Sequence, residues 1–142
     1  VDFAVGYRPQ IITFIYVRDL VAACFAALTR GERGKAYLLS DGLDYDSRAF
    51  SDLLQQEMGV RGVLHITAPE WVLHGVCAFN TRLARFTHKM PTLNMDKFQI
   101  LRQRNWRCDI TPARRELGYT PQWPLHRGVK EAVAWYKANG WL

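Results

Sequence analysis

The chain "QIITFIYV" (10–17) is rich in β-branched and aromatic residues, and its pattern predicts a strand. "RDLVAACFAALTRG" (18–31) follows as a helix, with Asp19 near its start and Gly31 as its stop. Leu20 to Leu28 are apolar without a break. A surface helix carries one apolar stripe, so one that is apolar all round is expected to be covered on several sides. "KAYLLS" (35–40) shows little alternation, the pattern of an interior strand, and Asp41-Gly42 turns the chain after it. Ser47 is placed to cap a helix over 48–58, with Phe50, Leu53, Leu54 and Met58 on one face and Gly59 at its end. "GVLHIT" (62–67) predicts another strand. Pro69 opens a longer helix. In it Val72, Val76, Phe79, Leu83 and Phe86 recur at spacings of four, three, four and three, which predicts the covered face. Glu70, His74, Thr81, Arg85 and His88 fall on its other side. Residues 92–103 allow a short helix, and 106–110 read as extended. Thr111 is placed to cap "PARREL", with Gly118 as its stop. Pro124 opens the last helix, whose covered stripe is Leu125, Val129, Ala132, Val133 and Tyr136. The pattern as a whole predicts a helix-rich α/β fold with a few short strands.

At 142 residues the chain is one domain's worth, expected over 1–142, and long enough to bury a core. Its 49% apolar and 23% charged residues are those of a globular protein, not a disordered tail. No apolar run reaches the ~18–20 residues of a spanning helix, so no transmembrane segment is expected. Cys24, Cys77 and Cys108 form no C-x-x-C, which points to a reducing, cytoplasmic setting. The four histidines have no metal-ligand spacing, so no metal is expected. The chain opens at Val1 without a Met, which raises the expectation of a piece of something longer.

Charge changes the picture in one region. Residues 82–115 hold nine Lys/Arg and two acids, +7 of a chain whose net charge is +6. A focused basic region attracts anions: nucleic acid, lipid headgroups or a phosphorylated ligand. It is equally what a solvated positive face looks like.

Three stretches together carry a family resemblance. "TFIYVRDLVAACFAAL" resembles the "F-[IV]-[HY]-V-x-D-[LV]-x-x-A" signature of the extended short-chain dehydrogenases/reductases. This is the NAD-dependent epimerase/dehydratase group, with its 3β-hydroxysteroid dehydrogenase-like branch. "KAYLLSDG" is similar to the family's next strand. "CDITPARRELGYTPQWPLHRGVKEAVAWY" resembles its closing pattern around "L-G-[YW]-x-P". The order and spacing match over nearly the whole chain. The resemblance implies the C-terminal, substrate-binding portion of an extended Rossmann-type dehydrogenase. It also implies a small-molecule substrate with an alcohol or carbonyl group, and NAD or NADP in the full-length protein.

The family's other half is not visible here. It binds its dinucleotide through a Gly-rich turn at a helix N-terminus, and no G-x-x-G-x-x-G occurs. Its chemistry uses a Tyr with a Lys four residues on. Four residues after the six tyrosines stand Ile11, Leu20, Asp41, Ala49, Trp123 and Gly140. No cofactor binding, no catalytic residue and no turnover are therefore expected of this chain alone. The missing N-terminal nucleotide-binding domain is its expected partner, and without it the chain is expected to self-associate through residues 18–40. Nucleotide-sugar members often carry an Arg before the first strand signature and another after the strand-ending Pro. Here those positions hold Ile12 and, after Pro69, Glu70 and Trp71, so two bidentate phosphate anchors are missing. That tilts the expected substrate toward an apolar molecule.

The candidate substrate-binding residues are Arg8 and Tyr45, which flank strand–loop junctions, and Arg104, Asn105 and Trp106, which lie in the basic segment. Loops at such junctions line clefts in open α/β folds, and a planar guanidinium orients anions. Asp19 and Asp109 read as structural carboxylates that satisfy backbone N–H groups. Trp123 and Trp135 read as core. Two other classes compete. A small basic nucleic-acid-binding module would need a recognition helix or an aromatic platform, and neither pattern occurs. A peripheral membrane module would use residues 69–89, where the apolar stripe meets Arg82, Arg85 and Lys89. Packing of that stripe against the domain is the simpler reading.

Overall fold

The computed structural model describes residues 2–6, 10–87 and 94–142, and in 2–5 and 84–87 the backbone alone. Its elements are β1 (Asp2–Val5), β2 (Ile11–Ile12), α1 (Val17–Arg30), β3 (Tyr45–Asp46), α2 (Ala49–Met58), β4 (His65–Ala68), α3 (Glu70–Thr87), α4 (Met95–Leu101), β5 (Asn105–Trp106) and α5 (Leu125–Ala138). A single π-turn, Ala113–Leu117, precedes α5. The fold is a helix-rich α/β arrangement with short strands, as the sequence pattern predicts. It forms two compact units, one of residues 1–10 and 62–105, the other of 11–61 and 106–142.

In the first unit β1 and β4 pair in parallel, with Asp2 opposite His65 and Val5 opposite Ala68. The strand expected over 62–67 starts late, at His65. Gly62 sits at φ +76, outside the extended region a ladder needs. Beyond β4, Pro69 leads straight into α3, and α4 packs against it. The Asn94 side chain caps α4 by accepting the Lys97 N–H at 2.9 Å. The core of this unit is Leu73, Cys77 and Phe98. The expected covered face of α3 is therefore wrong. Val72, Val76, Phe79 and Leu83 are exposed, Phe79 at 66%; the Phe86 side chain lies outside the described residues. The helix has two apolar faces, and among the described residues α4 covers the face of Leu73 and Cys77.

In the second unit β2 is the centre of a sheet ordered β3-β2-β5, with Ile12 opposite Tyr45. The strand expected over 10–17 shrinks to Ile11–Ile12. The strand expected over 35–40 is absent: the Asp41 N–H donates to the Phe14 carbonyl at 2.8 Å, but no ladder follows. A strand exists only where a partner supplies alternating bonds, and β-rich composition does not supply one. Two expected caps are also replaced. Asp46, not Ser47, accepts the Arg48 N–H ahead of α2, at 2.9 Å, and Asp109 accepts the Thr111 N–H at the entry to the π-turn, also at 2.9 Å. Gly59 and Gly118 end their helices in the left-handed conformation, as the sequence leads one to expect.

Two cores hold this unit. Ala23 of α1 packs with Ile110, Ala113, Leu117 and Tyr119, while Leu125, Val129 and Val133 of α5 pack with Leu53, Leu54 and Met58 of α2. Helix α1 is not covered on several sides. Asp19 and Ala23 are buried, but Val17, Val21, Phe25 and Leu28 are exposed, the last two at 68% and 81%. Trp135 and Tyr136 are also exposed, against expectation. They cluster edge-on with Trp141 beyond the end of the buried stripe, at ring separations of 5.3 to 6.0 Å.

Candidate functional site

The three sequence stretches that carry the family resemblance interlock within the second unit. The buried Asp19 carboxylate accepts the Gln122 N–H at 3.0–3.1 Å and the Trp123 N–H at 2.9 Å. It thus ties α1 to the loop before α5, and its charge sits in the first turn of α1, where the dipole favours an anion. The Tyr119 hydroxyl donates to the Ser40 carbonyl at 2.9 Å, which ties "LGY" to "LLSDG". Asp41 completes the set. Pro124 offers α5 no side-chain cap, so the first N–H of α5, on Leu125, goes to Asp41 Oδ2 at 3.2 Å and to the Tyr45 hydroxyl at 3.1 Å. The Tyr45 hydroxyl in turn donates to Asp41 Oδ2 at 2.5 Å.

These contacts set the phenols. Burial first, and then the bond to Asp41, push Tyr45 up to about 12. Burial, and then the Asp19 and Asp41 carboxylates, push Tyr119 up to about 12. Both phenols therefore stay protonated near neutral pH, and neither supplies a phenolate base there.

Asp41 and Leu125 border a small cavity of about 150 Å³, walled by Phe14, Tyr16, Trp123, Gly128 and Val129. Trp123 is half-buried on that wall, not in the core. The Arg127 and Arg18 guanidinium carbons stand 3.8 and 4.8 Å from its ring centroid. Helix α5 reaches the wall closely at Gly128, where a Cβ would lie 2.8 Å from the Tyr16 ring. A second, apolar groove of about 350 Å³ runs along α2 and α5, between Leu54, Met58, Val133 and the terminal Trp141 and Leu142. Phe50, Val129 and Ala132 line both.

The candidate residues are not gathered into one cluster by these contacts. Arg8 lies outside the described residues. Tyr45 is on β3 and Trp106 on β5, the outer strands on either side of β2. The Trp106 side chain is exposed and its carbonyl accepts the Thr13 hydroxyl at 2.8 Å. Asn105 is exposed. In the first unit, Arg104 forms an ion pair with Glu70. Both lie across Gly6 (φ +72), where a Cβ would meet the Arg104 Nη2 at 2.9 Å and the Glu70 Oε1 at 3.2 Å. Asp41 and Glu70 are the residues that sequence reasoning missed as partners. Asp41 reads as a turn residue, and only the uncapped Pro124 start hints that a carboxylate must come from elsewhere.

One strand-to-helix turn among the described residues, β4–Pro69–α3, is ill-suited to a pyrophosphate. Pro69 removes one N–H from it, and Glu70 puts a carboxylate at the helix N-terminus.

No family model matches the chain. It is 27% identical over 149 aligned positions to sterol demethylase protein B of Methylococcus capsulatus, covering 99% of this chain and 44% of that protein. Against solved structures, 99% of the chain superposes on 40% of gox2253, with a TM-score of 0.72 and 23% identity. A UDP-glucose 4-epimerase from Thermotoga maritima, solved with UDP-glucose, is matched over 97% of this chain and 35% of its own, with a TM-score of 0.65 and 17% identity. Others of the matched structures hold NAD or NADPH. The fold is thus that of the C-terminal portion of the extended Rossmann-type epimerases and dehydratases. The resemblance drawn from the three sequence stretches holds at the level of fold, and the chain spans less than half the length of the proteins it matches.

Proposed function

We propose that this chain is the substrate-side portion of an NAD(P)-dependent oxidoreductase or epimerase, and that it is not catalytic alone. The observation that carries the reading is its end-to-end match to under half of such enzymes, combined with a strand–helix turn unsuited to a pyrophosphate. The catalytic Tyr/Lys pair and the cofactor cradle would come from an N-terminal domain. The exposed apolar face of α1, with Phe25 and Leu28 at its centre, is where that domain would pack. Deprived of it, the isolated chain self-associates through the same face, since bare apolar patches of this kind recruit other surfaces.

The substrate would be a small apolar molecule bearing an alcohol or carbonyl group. Ile12 and Glu70 stand where nucleotide-sugar enzymes place phosphate anchors, the cavities of the second unit are walled by aromatic and aliphatic side chains, and the curated relative is named for a sterol. Arg8, Tyr45, Arg104, Asn105 and Trp106 remain the proposed contacts. Tyr45 would serve as a wall, because its proton is committed to Asp41. Arg104, already neutralised by Glu70, would position backbone around Gly6 more than it would grip an anion.

The test is a turnover assay on a longer protein that carries this chain behind a dinucleotide-binding half. Nicotinamide absorbance is followed with cyclic apolar alcohols and ketones, sterols included, and with UDP-glucose. Turnover of the apolar set is expected. Turnover confined to the sugar nucleotide would refute the substrate reading, and no nicotinamide chemistry with any of them would refute the class.

A further inference from the structure

We propose that the trough along α2 and α5 is a binding site for an uncharged, elongated apolar molecule that carries a hydroxyl at one end. The inference does not depend on the function proposed above, because the trough is built within the second unit and its test involves no cofactor. The small cavity beside Asp41 and the larger groove beside Met58 share Phe50, Val129 and Ala132 as walls, so they adjoin. Their volumes are about 150 and 350 Å³, a space of the size that encloses small molecules. The sequence of α5 explains the trough. Gly128, Ala132 and Tyr136 recur every four residues and so lie along one line of the helix. The first two are too small to fill the space beside Phe50. At the far end Gly140, at φ +70, turns the chain, and the Trp141 N–H donates to the Tyr136 carbonyl at 3.0 Å. Trp141 and Leu142 thereby become the end wall. From Leu125 to Tyr136 the helix rises about 16 Å, so the occupant is long rather than round.

The lining decides the chemistry. Among the described residues that line the two cavities, Asp41 carries the one charged side chain. It is buried, at 7% exposure. Its Oδ2 accepts the Tyr45 hydroxyl and the Leu125 N–H, while Oδ1 accepts the Leu43 N–H at 3.1 Å. A carboxylate oxygen accepts two bonds, which leaves Oδ1 room for another donor. A ligand hydroxyl would supply it, with the apolar body laid along Phe50, Val129 and Leu54 toward the end wall. A ligand carboxylate would meet Asp41 as a like charge in a dry site. A peptide would bury N–H and C=O groups against aliphatic and aromatic walls that offer them no partners.

Decanol is the probe. Its binding is read by displacement of the neutral dye N-phenylnaphthylamine from the chain, and by tryptophan fluorescence, since Trp123 and Trp141 stand at the two ends. Saturable displacement is expected. Decyl methyl ether has no donor and should bind about tenfold more weakly, and ionised decanoate more weakly still. Ala132→Phe on α5 and Leu54→Trp on α2 fill the trough from either wall, and each should lower decanol binding by about tenfold or more. Either one that keeps its far-ultraviolet circular dichroism decides. Gly75→Ala on α3 should leave binding within about twofold. No saturable displacement by decanol would overturn the proposal. So would undiminished binding in a folded trough-filling variant, or ether or decanoate binding as tightly as decanol.

Discussion

Replacing Asp19 by Ala should be among the most damaging single changes in the second unit. The carboxylate is 4% exposed and accepts two backbone donors, the N–H groups of Gln122 and Trp123. Hydrogen bonds to a charged group contribute ~1.5–3 kcal/mol each. Gln122 is exposed, so water can take back part of its N–H. Trp123 is half-buried, and its N–H would lose its partner in a largely dry setting. The expected cost is therefore about 2–4 kcal/mol, a sizeable part of the ~5–15 kcal/mol that holds a domain folded. At about 3–4 °C per kcal/mol for a chain of this size, Tm should fall by about 6–16 °C. Asp19→Asn keeps one acceptor oxygen and turns an NH2 toward a donor, so it should lie between the two. Urea unfolding followed by tryptophan fluorescence gives the free energies, and a scanning melt gives Tm. An Asp19→Ala chain within about 0.5 kcal/mol of the parent would refute the claim that this carboxylate fastens α1 to the closing segment.

Glycine positions make a paired prediction: Gly75→Ala should stabilise by about 0.5–1 kcal/mol, because α3 has open space there. Gly128→Ala should destabilise by about 1–3 kcal/mol, because its methyl would meet the Tyr16 ring, and thermal melts of both variants check the opposite signs. Tyr45 and Tyr119 have folded values raised to about 12 from 10.0, so the stability they contribute is present below pH 10 and is lost as pH rises toward 12. An ultraviolet phenolate titration should show two tyrosines ionising late, together with unfolding. The isolated chain should self-associate with rising concentration in sedimentation equilibrium, and Phe25→Glu/Leu28→Glu should return it to a monomer. A clean monomer throughout for the parent would mean that the α1 face needs no cover.

Helices were legible in the sequence because their ends are written locally. Pro69 and Pro124 open α3 and α5, and Gly31, Gly59 and Gly118 stand where helices stop. Strands were legible only in part: β2 and β4 form inside or beside the expected stretches but shorter, because a ladder depends on a partner that local pattern does not name. "KAYLLS" has strand composition and no ladder, while Tyr45–Asp46 pairs with β2 on no special signal. Which face of a helix is covered failed in the same way. The spacing of Val72, Val76, Phe79 and Leu83 is that of a core stripe, yet Phe98 seats on the other apolar face. Asp19 was readable as a carboxylate that feeds backbone donors, but its targets lie 103 and 104 residues away. Arg104 was readable as a guanidinium in want of an anion. That the anion is Glu70, 34 residues off, required the fold.

The central claim is that the cofactor half of the activity lies outside this chain, and calorimetric titration with NAD(H) and NADP(H) tests it most directly. The measurement is made on this chain and on a longer protein that carries it behind a dinucleotide-binding half. No saturable heat is predicted for the chain, and micromolar binding for the longer protein. Micromolar binding by the chain alone, or none by the longer protein, would contradict the account.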